Sequence, residues 1–178
     1  MELDPQTFYT EIRKRGLSRD FLFRVTGIML DRVAIHPEES NDLIFARAAS
    51  YPGRIIEDMP VNYYGHEYHL AGRAKYTNAA SYAIEFYVPG NFSLRDKLEK
   101  ASRFAHEDGI GDAGISTSNW ITLKGLKGPA HGSSESKVKL IGAQIRDIGE
   151  IKYSIADGTG EVAVFAVTFA YQKYEITE

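Results

Sequence analysis

The sequence predicts a mainly β chain interrupted once by a helix, and three observations predict it. Between Arg47 and Val88, runs rich in Ile, Val, Tyr and Phe are broken by Pro52-Gly53, Gly65 and Gly72, which marks a succession of short strands. A single helical period then follows at once, from Ser93 to Glu107. The longest β run, Glu161–Tyr174, closes the chain.

Taken in order, the first element is a short helical arm. Asp4 suits an N-cap and Pro5 a first helical turn, where its missing N–H is not needed. Phe8 and Ile12 lie four apart on one face, and Gly16 is a natural stop. Alone, such a helix is marginal in water, so it must dock, either on its own domain or on a neighbouring subunit. Arg13-Lys14-Arg15 reads as the positive end favoured at a helix C-terminus.

From Asp20 the period becomes two, with Phe21, Phe23 and Val25 on one face of a strand. Leu43–Ser50 is a second strand candidate, after the polar loop His36–Asp42. Arg54–Tyr64 is strand-like, and Pro60 within it predicts an edge, a bulge or a break. Tyr82–Val88 alternates, and Pro89-Gly90-Asn91 ends it. In the helix, Ser93 and Asp96 have the spacing of a capping box. Leu94, Leu98, Ala101 and Ala105, with Phe104 beside them, form its apolar stripe, and Glu99–Arg103 is an i,i+4 ion pair.

The stretch Asp108–Ser136 is rich in Gly and Ser, with one apolar island, Asn119–Leu123. So long a stretch without regular structure is unusual in a compact domain. In Lys137–Ile145, Val138 and Leu140 share a face, and Gly142 predicts a bulge that shifts the phase. In the terminal run Ala163, Phe165, Val167, Phe169 and Tyr171 share one face, and Val162, Val164, Ala166, Thr168 and Ala170 the other, so both faces read as covered.

Composition narrows the function classes. A chain of 178 residues can bury about 70% of its unfolded surface in one domain. With 43% hydrophobic and 25% charged residues it is not a disordered chain. No apolar run approaches the ~20 residues of a membrane span, and the first residues lack a signal core, so cytosolic synthesis is expected. With no cysteine, disulfides and thiolate chemistry are excluded. A net charge of −3 without a Lys/Arg block argues against a DNA-clamping face.

Local marks of catalysis are absent. No HExxH or GxSxG motif occurs, and His66 and His69 do not aim at one point in an extended segment. Asp108–Ser116 lacks the alternating acids and closing Glu of a calcium loop. The expectation is no enzyme, no metal and no cofactor.

Four segments carry a resemblance: DFLFRVTGI (20–28), SYPGRIIEDMPVNYYGHEYHLAGRAKYTNAASYAIEFYV (50–88), LRDKLEKASRFAHE (94–107) and EVAVFAVTFAYQKYE (161–175). Their order resembles the tail tube proteins of contractile-tailed bacteriophages, over roughly residues 20–107 and 137–175. The family implies two packed antiparallel sheets, as a small barrel or sandwich, with one flanking helix. Residues 1–19 are then an N-terminal arm and 20–178 one tail-tube domain. The Gly/Ser-rich insertion at about 108–136 departs from a plain family member.

The same resemblance implies a structural virion protein. Hexameric rings would stack into a tube that conducts DNA as cargo inside a contractile sheath, with sheath, baseplate and tail-terminator proteins as partners and no membrane. Interface candidates are Phe8, Ile12, Tyr63, Tyr64, Tyr68 and Thr168, and acidic lumen candidates are Glu57, Asp58, Glu67 and Glu85. Closing sheet edges around a ring would also remove an aggregation hazard. Two alternatives stay open. One is the tube of a type VI secretion-like or other contractile injection system. The other is a monomeric ligand-binding barrel whose pocket Tyr63, Tyr64 and Tyr68 would line.

Overall fold

The computed structural model describes residues 6, 9–10, 13, 22–30, 33–36, 41–107, 110–111, 118–126, 136–153 and 160–177. Strands β1 (Phe23–Leu30) and β2 (Val33–Ile35) open it, then a 3-10 turn (Asn41–Phe45) and β3 (Ala46–Ala49). A long hairpin follows, β4 (Arg54–Tyr63) and β5 (His66–Tyr76), leading to β6 (Tyr82–Tyr87) and helix α1 (Ser93–Ala105). A two-residue ribbon, β7 (His106–Glu107) with β8 (Ile110–Gly111), precedes β9 (Trp120–Gly125). Strands β10 (Ser136–Ile141), β11 (Gln144–Ile148), β12 (Val164–Ala170) and β13 (Lys173–Thr177) complete the chain.

Two open antiparallel sheets share one core. The first has the order β13-β10-β9-β1-β2 and the second β11-β12-β6-β3. Both have free edges, so the fold is a sandwich and not a closed barrel. Alternation places Val25, Ile28, Ile121, Leu123, Val138 and Leu140 of the first sheet inward, at 3% exposure or less. They meet Tyr82, Ile84, Phe86, Phe165, Val167 and Phe169 of the second. Each fully buried aliphatic or phenyl side chain contributes about 1.5–3 kcal/mol.

Helix α1 lies against β2, β11 and the 3-10 turn and buries Leu94, Leu98 and Ala101. Phe104, expected beside that stripe, is 57% exposed, because it lies one position round from the Ala101–Ala105 line. The expected Glu99–Arg103 ion pair forms, at 3.6 Å. The capping box does not. The Asp96 amide donates to Phe92 O at 3.0 Å, and the Ser93 hydroxyl donates to the carboxylate of Asp42 at 2.7 Å. Lys97 donates to the same carboxylate at 2.8 Å. That tie holds Asn41–Phe45 in a 3-10 turn, so the strand expected over Leu43–Ser50 shortens to β3.

Two further expectations are corrected at one corner. The run 137–145 is two strands in different sheets, and Gly142 is the turn between them, not a bulge. Gly142 sits at φ +69°, and a Cβ there would lie 2.7 Å from Gln172 Cγ. The terminal run likewise divides at Tyr171–Gln172 into β12 and β13. The crossings are bonded together: Gln172 N donates to Ile141 O, and Gly142 N to Asn119 O, each at 2.9 Å. Of the stretch 108–136, the island Asn119–Leu123 falls largely in β9, the central strand of the first sheet. The outer face of β12 is not covered within one chain, since Ala166 is exposed and Thr168 half-buried.

Gly142→Ala adds a left-handed strain and a clash at the corner, so it should destabilise by about 1–3 kcal/mol in denaturant unfolding. The Tyr82 phenol donates to Ser50 O and is raised above its ordinary 10.0, chiefly by burial and then by neighbouring Tyr171. Above pH 10 the unfolded chain gives up this proton while the native chain keeps it. Stability should therefore hold below pH 10 and fall above it, by about 1.4 kcal/mol per pH unit. Urea unfolding from pH 9 to 11 measures this, and Tyr82→Phe should flatten the slope.

Candidate functional site

The β4–β5 hairpin is the most exposed part of the described chain. Of its strand residues only Glu57, Gly72 and Tyr76 are half-buried, and the rest are exposed. Each strand of such a ribbon is an edge, so Pro60 removes no interior ladder bond. At the base, Thr77 N donates to Gly53 O at 2.9 Å and the Tyr171 hydroxyl to Thr77 O at 3.0 Å. Tyr76 stacks edge-on against Tyr174, with ring centroids 5.1 Å apart. The ribbon is thus anchored at its root and, among the described residues, exposed along its length.

A β-bulge divides it. Gly72 and Arg73 oppose the single residue Glu57, since Ile56 pairs with Ala74 and Asp58 with Ala71. Gly72 is required there, because a Cβ would lie 2.9 Å from Glu57 O. Beyond the bulge the faces separate by chemistry. Met59, Val61 and Tyr63 pair across with Leu70, Tyr68 and His66 on one face. Asp58, Pro60 and Asn62 pair with Ala71, His69 and Glu67 on the other. The first face is apolar and exposed, with Met59 at 49%, Tyr63 at 63% and Tyr68 at 51%. On the second, His69 Nδ1 lies 2.6 Å from Asp58 Oδ2, and its Nε2 3.9 Å from Glu67 Oε1.

The candidate residues therefore sort as follows. Tyr63 and Tyr68 share the apolar face, and Tyr64 stands at the tip, 86% exposed, with φ +50°. Asp58 and Glu67 share the polar face. Glu57 stands apart at the bulge and pairs with Lys75. Glu85 lies on the outer face of the second sheet, 3.8 Å from Arg47, whose guanidinium sits over Tyr87. Thr168 is on that same face, opposite Ala83. Phe8 and Ile12 lie outside the described residues, while Gln6, Tyr9, Thr10 and Arg13 of the arm are helical and exposed.

His66 and His69 fall on opposite faces of the ribbon, as their spacing requires. Among the described residues no three His, Asp or Glu side chains form a group able to hold a metal. What this surface can do is bind. A two-stranded ribbon is marginally stable in water, and an apolar face on one is stabilised by contact with another surface.

No protein-family model matches this chain, and no curated protein matches it. Solved structures do. A chain in the baseplate of the anti-feeding prophage, solved with six-fold symmetry, aligns with TM-score 0.61 at 13% identity, covering 90% of this chain and 95% of that one. One in the sheath–tube complex of an extracellular contractile injection system aligns with TM-score 0.54 at 13% identity, covering 94% and 96%. One in the sheath/tube terminator of such a system aligns with TM-score 0.56 at 14% identity, covering 90% and 96%. At these identities the likeness is one of fold, and that fold spans almost the whole of each chain.

Proposed function

We propose that this chain is a structural subunit of the tube of a contractile injection system, built by self-association and performing no catalysis. One observation carries the reading: the apolar face of the hairpin, Met59, Val61, Tyr63, Tyr68 and Leu70, is exposed in the single chain. A second copy is the occupant that buries it in every subunit of a repeating assembly. Likeness of fold to chains from a sheath–tube complex and a tube terminator supports this choice.

In this assembly the free edges β3 and β11 of the second sheet join between neighbours, so that four strands from each copy continue around a ring. The hairpin reaches the adjacent ring, with Tyr63, Tyr64 and Tyr68 at the contact. Residues 1–19 form an arm that docks on a neighbour through Phe8 and Ile12. Thr168 lies at a subunit contact, and Glu57, Asp58, Glu67 and Glu85 line the conduit. Sheath, baseplate and terminator proteins are the remaining partners.

The finer reading is a hexameric phage tail tube, made in the host cytoplasm and carried in the virion, with DNA as cargo. A second reading, a tube from an injection particle that is not a phage, is favoured by the extracellular contractile injection system among the structures of like fold.

Negative-stain microscopy and sedimentation of the purified chain test the reading. Rings or tubes are expected. Val61→Lys with Tyr68→Glu should abolish them while costing no more than about 1 kcal/mol of stability, since both sites are exposed and the two opposite charges face each other across the ladder. A wild-type monomer at every concentration, with a stable fold, would overturn the proposal.

A further inference from the structure

The hairpin β4–β5 is a long lever on a narrow root. Its first strand has ten residues, or about 33 Å of extended chain. A swing of about 10° at the root would move Tyr63 by about 6 Å, more than the ~4.8 Å between neighbouring strands. Neither strand packs along another element of the described chain. Its direction is therefore set at the root, by the connections 50–53 and 77–81 and by the stacking of Tyr76 on Tyr174.

Two buried tyrosines of the second sheet hold those connections. Tyr82 opens β6, and its hydroxyl donates to Ser50 O at 2.5 Å, just before the hairpin. Tyr171 follows β12, and its hydroxyl donates to Thr77 O at 3.0 Å, just after the hairpin. The Tyr171 amide donates to Ala79 O at 2.8 Å in the same connection. The two rings stand edge-on, with centroids 5.8 Å apart, so each steadies the other. A further bond, from Thr77 N to Gly53 O at 2.9 Å, ties the two connections together.

Core packing does not require these oxygens. Phe86, Phe165 and Phe169 fill the same sheet's inner face as plain phenyl rings. A buried hydroxyl costs desolvation unless it is bonded, so a tyrosine in such a place is explained by its partner. Here both partners are main-chain carbonyls, one entering the hairpin and one leaving it.

We infer that the Tyr82 and Tyr171 hydroxyls are positioning groups for self-association, which aim the hairpin before it meets another copy and do not touch that copy. This rests on the tube reading. A ribbon free to swing would lose that freedom at every contact it makes, which weakens association. The clamp removes the freedom in the unassembled chain, and the length of the lever makes a small tightening at the root count at the tip.

The test uses the full-length chain carrying Tyr82→Phe and Tyr171→Phe together, which keeps both rings and removes only the two hydroxyls. The concentration at which rings or tubes appear, read by sedimentation and negative stain, should rise about tenfold or more. Amide hydrogen exchange in the unassembled chain should quicken within residues 50–81, while β9 and β10 exchange as in the wild type. A staple supplies the rescue. The chain has no cysteine, and a Cβ at Gly53 would lie 3.4 Å from Thr77 Cβ, close to the ~3.5–4.5 Å of a disulfide. Gly53→Cys with Thr77→Cys, added to the double variant, should restore assembly when oxidised and lose it again when reduced. If the double variant does not fold, Tyr171→Phe alone carries the same expectation. Assembly at the wild-type concentration, exchange quickened equally in β9 and β10, or no recovery with the staple closed would overturn the inference. A wild-type chain that forms no rings overturns the tube reading instead, and the exchange comparison still decides whether the clamp holds the hairpin.

Discussion

The structure depends on the corner at which two strand pairs change sheets together. Gly142 turns the chain from β10 to β11, and Tyr171–Gln172 turns it from β12 to β13. The buried Asn119 carbonyl accepts from both Gly142 N and Ala143 N, and Gln172 packs into the space that a side chain at 142 would fill. Because β10 pairs with β13 and β11 with β12, fixing this point fixes the relation of the two sheets and so the shape of the core.

The same corner directs the hairpin. Tyr171 follows directly on β12, its amide donates to Ala79 O and its hydroxyl to Thr77 O, and its ring stands edge-on to Tyr82. The root of β4–β5 is therefore tied to the core, while among the described residues the ribbon beyond the bulge is held chiefly by its own ladder. An assembly that repeats one contact copy after copy requires that geometry, because a contact surface at a variable angle would not close or stack.

Local pattern made much of this legible. The alternation in Tyr82–Tyr87 and Phe165–Phe169 and the stripe Leu94–Leu98–Ala101 are buried as their periods require, because burial on one face is a property of neighbours in sequence. What was hidden depends on distant partners. A glycine at a bulge and a glycine at a sheet corner look alike locally, and only the pairing of β11 with β12 makes Gly142 a corner. Tyr171–Gln172 has no turn residue at all, so the terminal run reads as one strand. Leu43–Phe45 has strand composition but obeys the Ser93–Asp42–Lys97 tie from α1. Asn119–Leu123 looks like an island in a loop until β1 and β10 claim its strand from either side. In the hairpin the extra residue at Gly72–Arg73 reverses the phase of β5, which conceals its apolar face from a simple period of two. The clamp at the hairpin root was hidden as well, because Tyr82 and Tyr171 meet Ser50 and Thr77 only in the fold.

The central claim is that another copy of this chain covers the apolar face of the hairpin beyond the bulge. With no natural cysteine, a single introduced thiol reports on one face alone. Val61 and Asn62 are adjacent but point to opposite faces. The measurement is the rate at which a small maleimide reacts with Val61→Cys and with Asn62→Cys, in dilute chain and in assembled material. The account predicts equal, fast rates in dilute chain, and on assembly a fall of tenfold or more at position 61 with position 62 still reactive. Unchanged reactivity at position 61 in assembled material would contradict it.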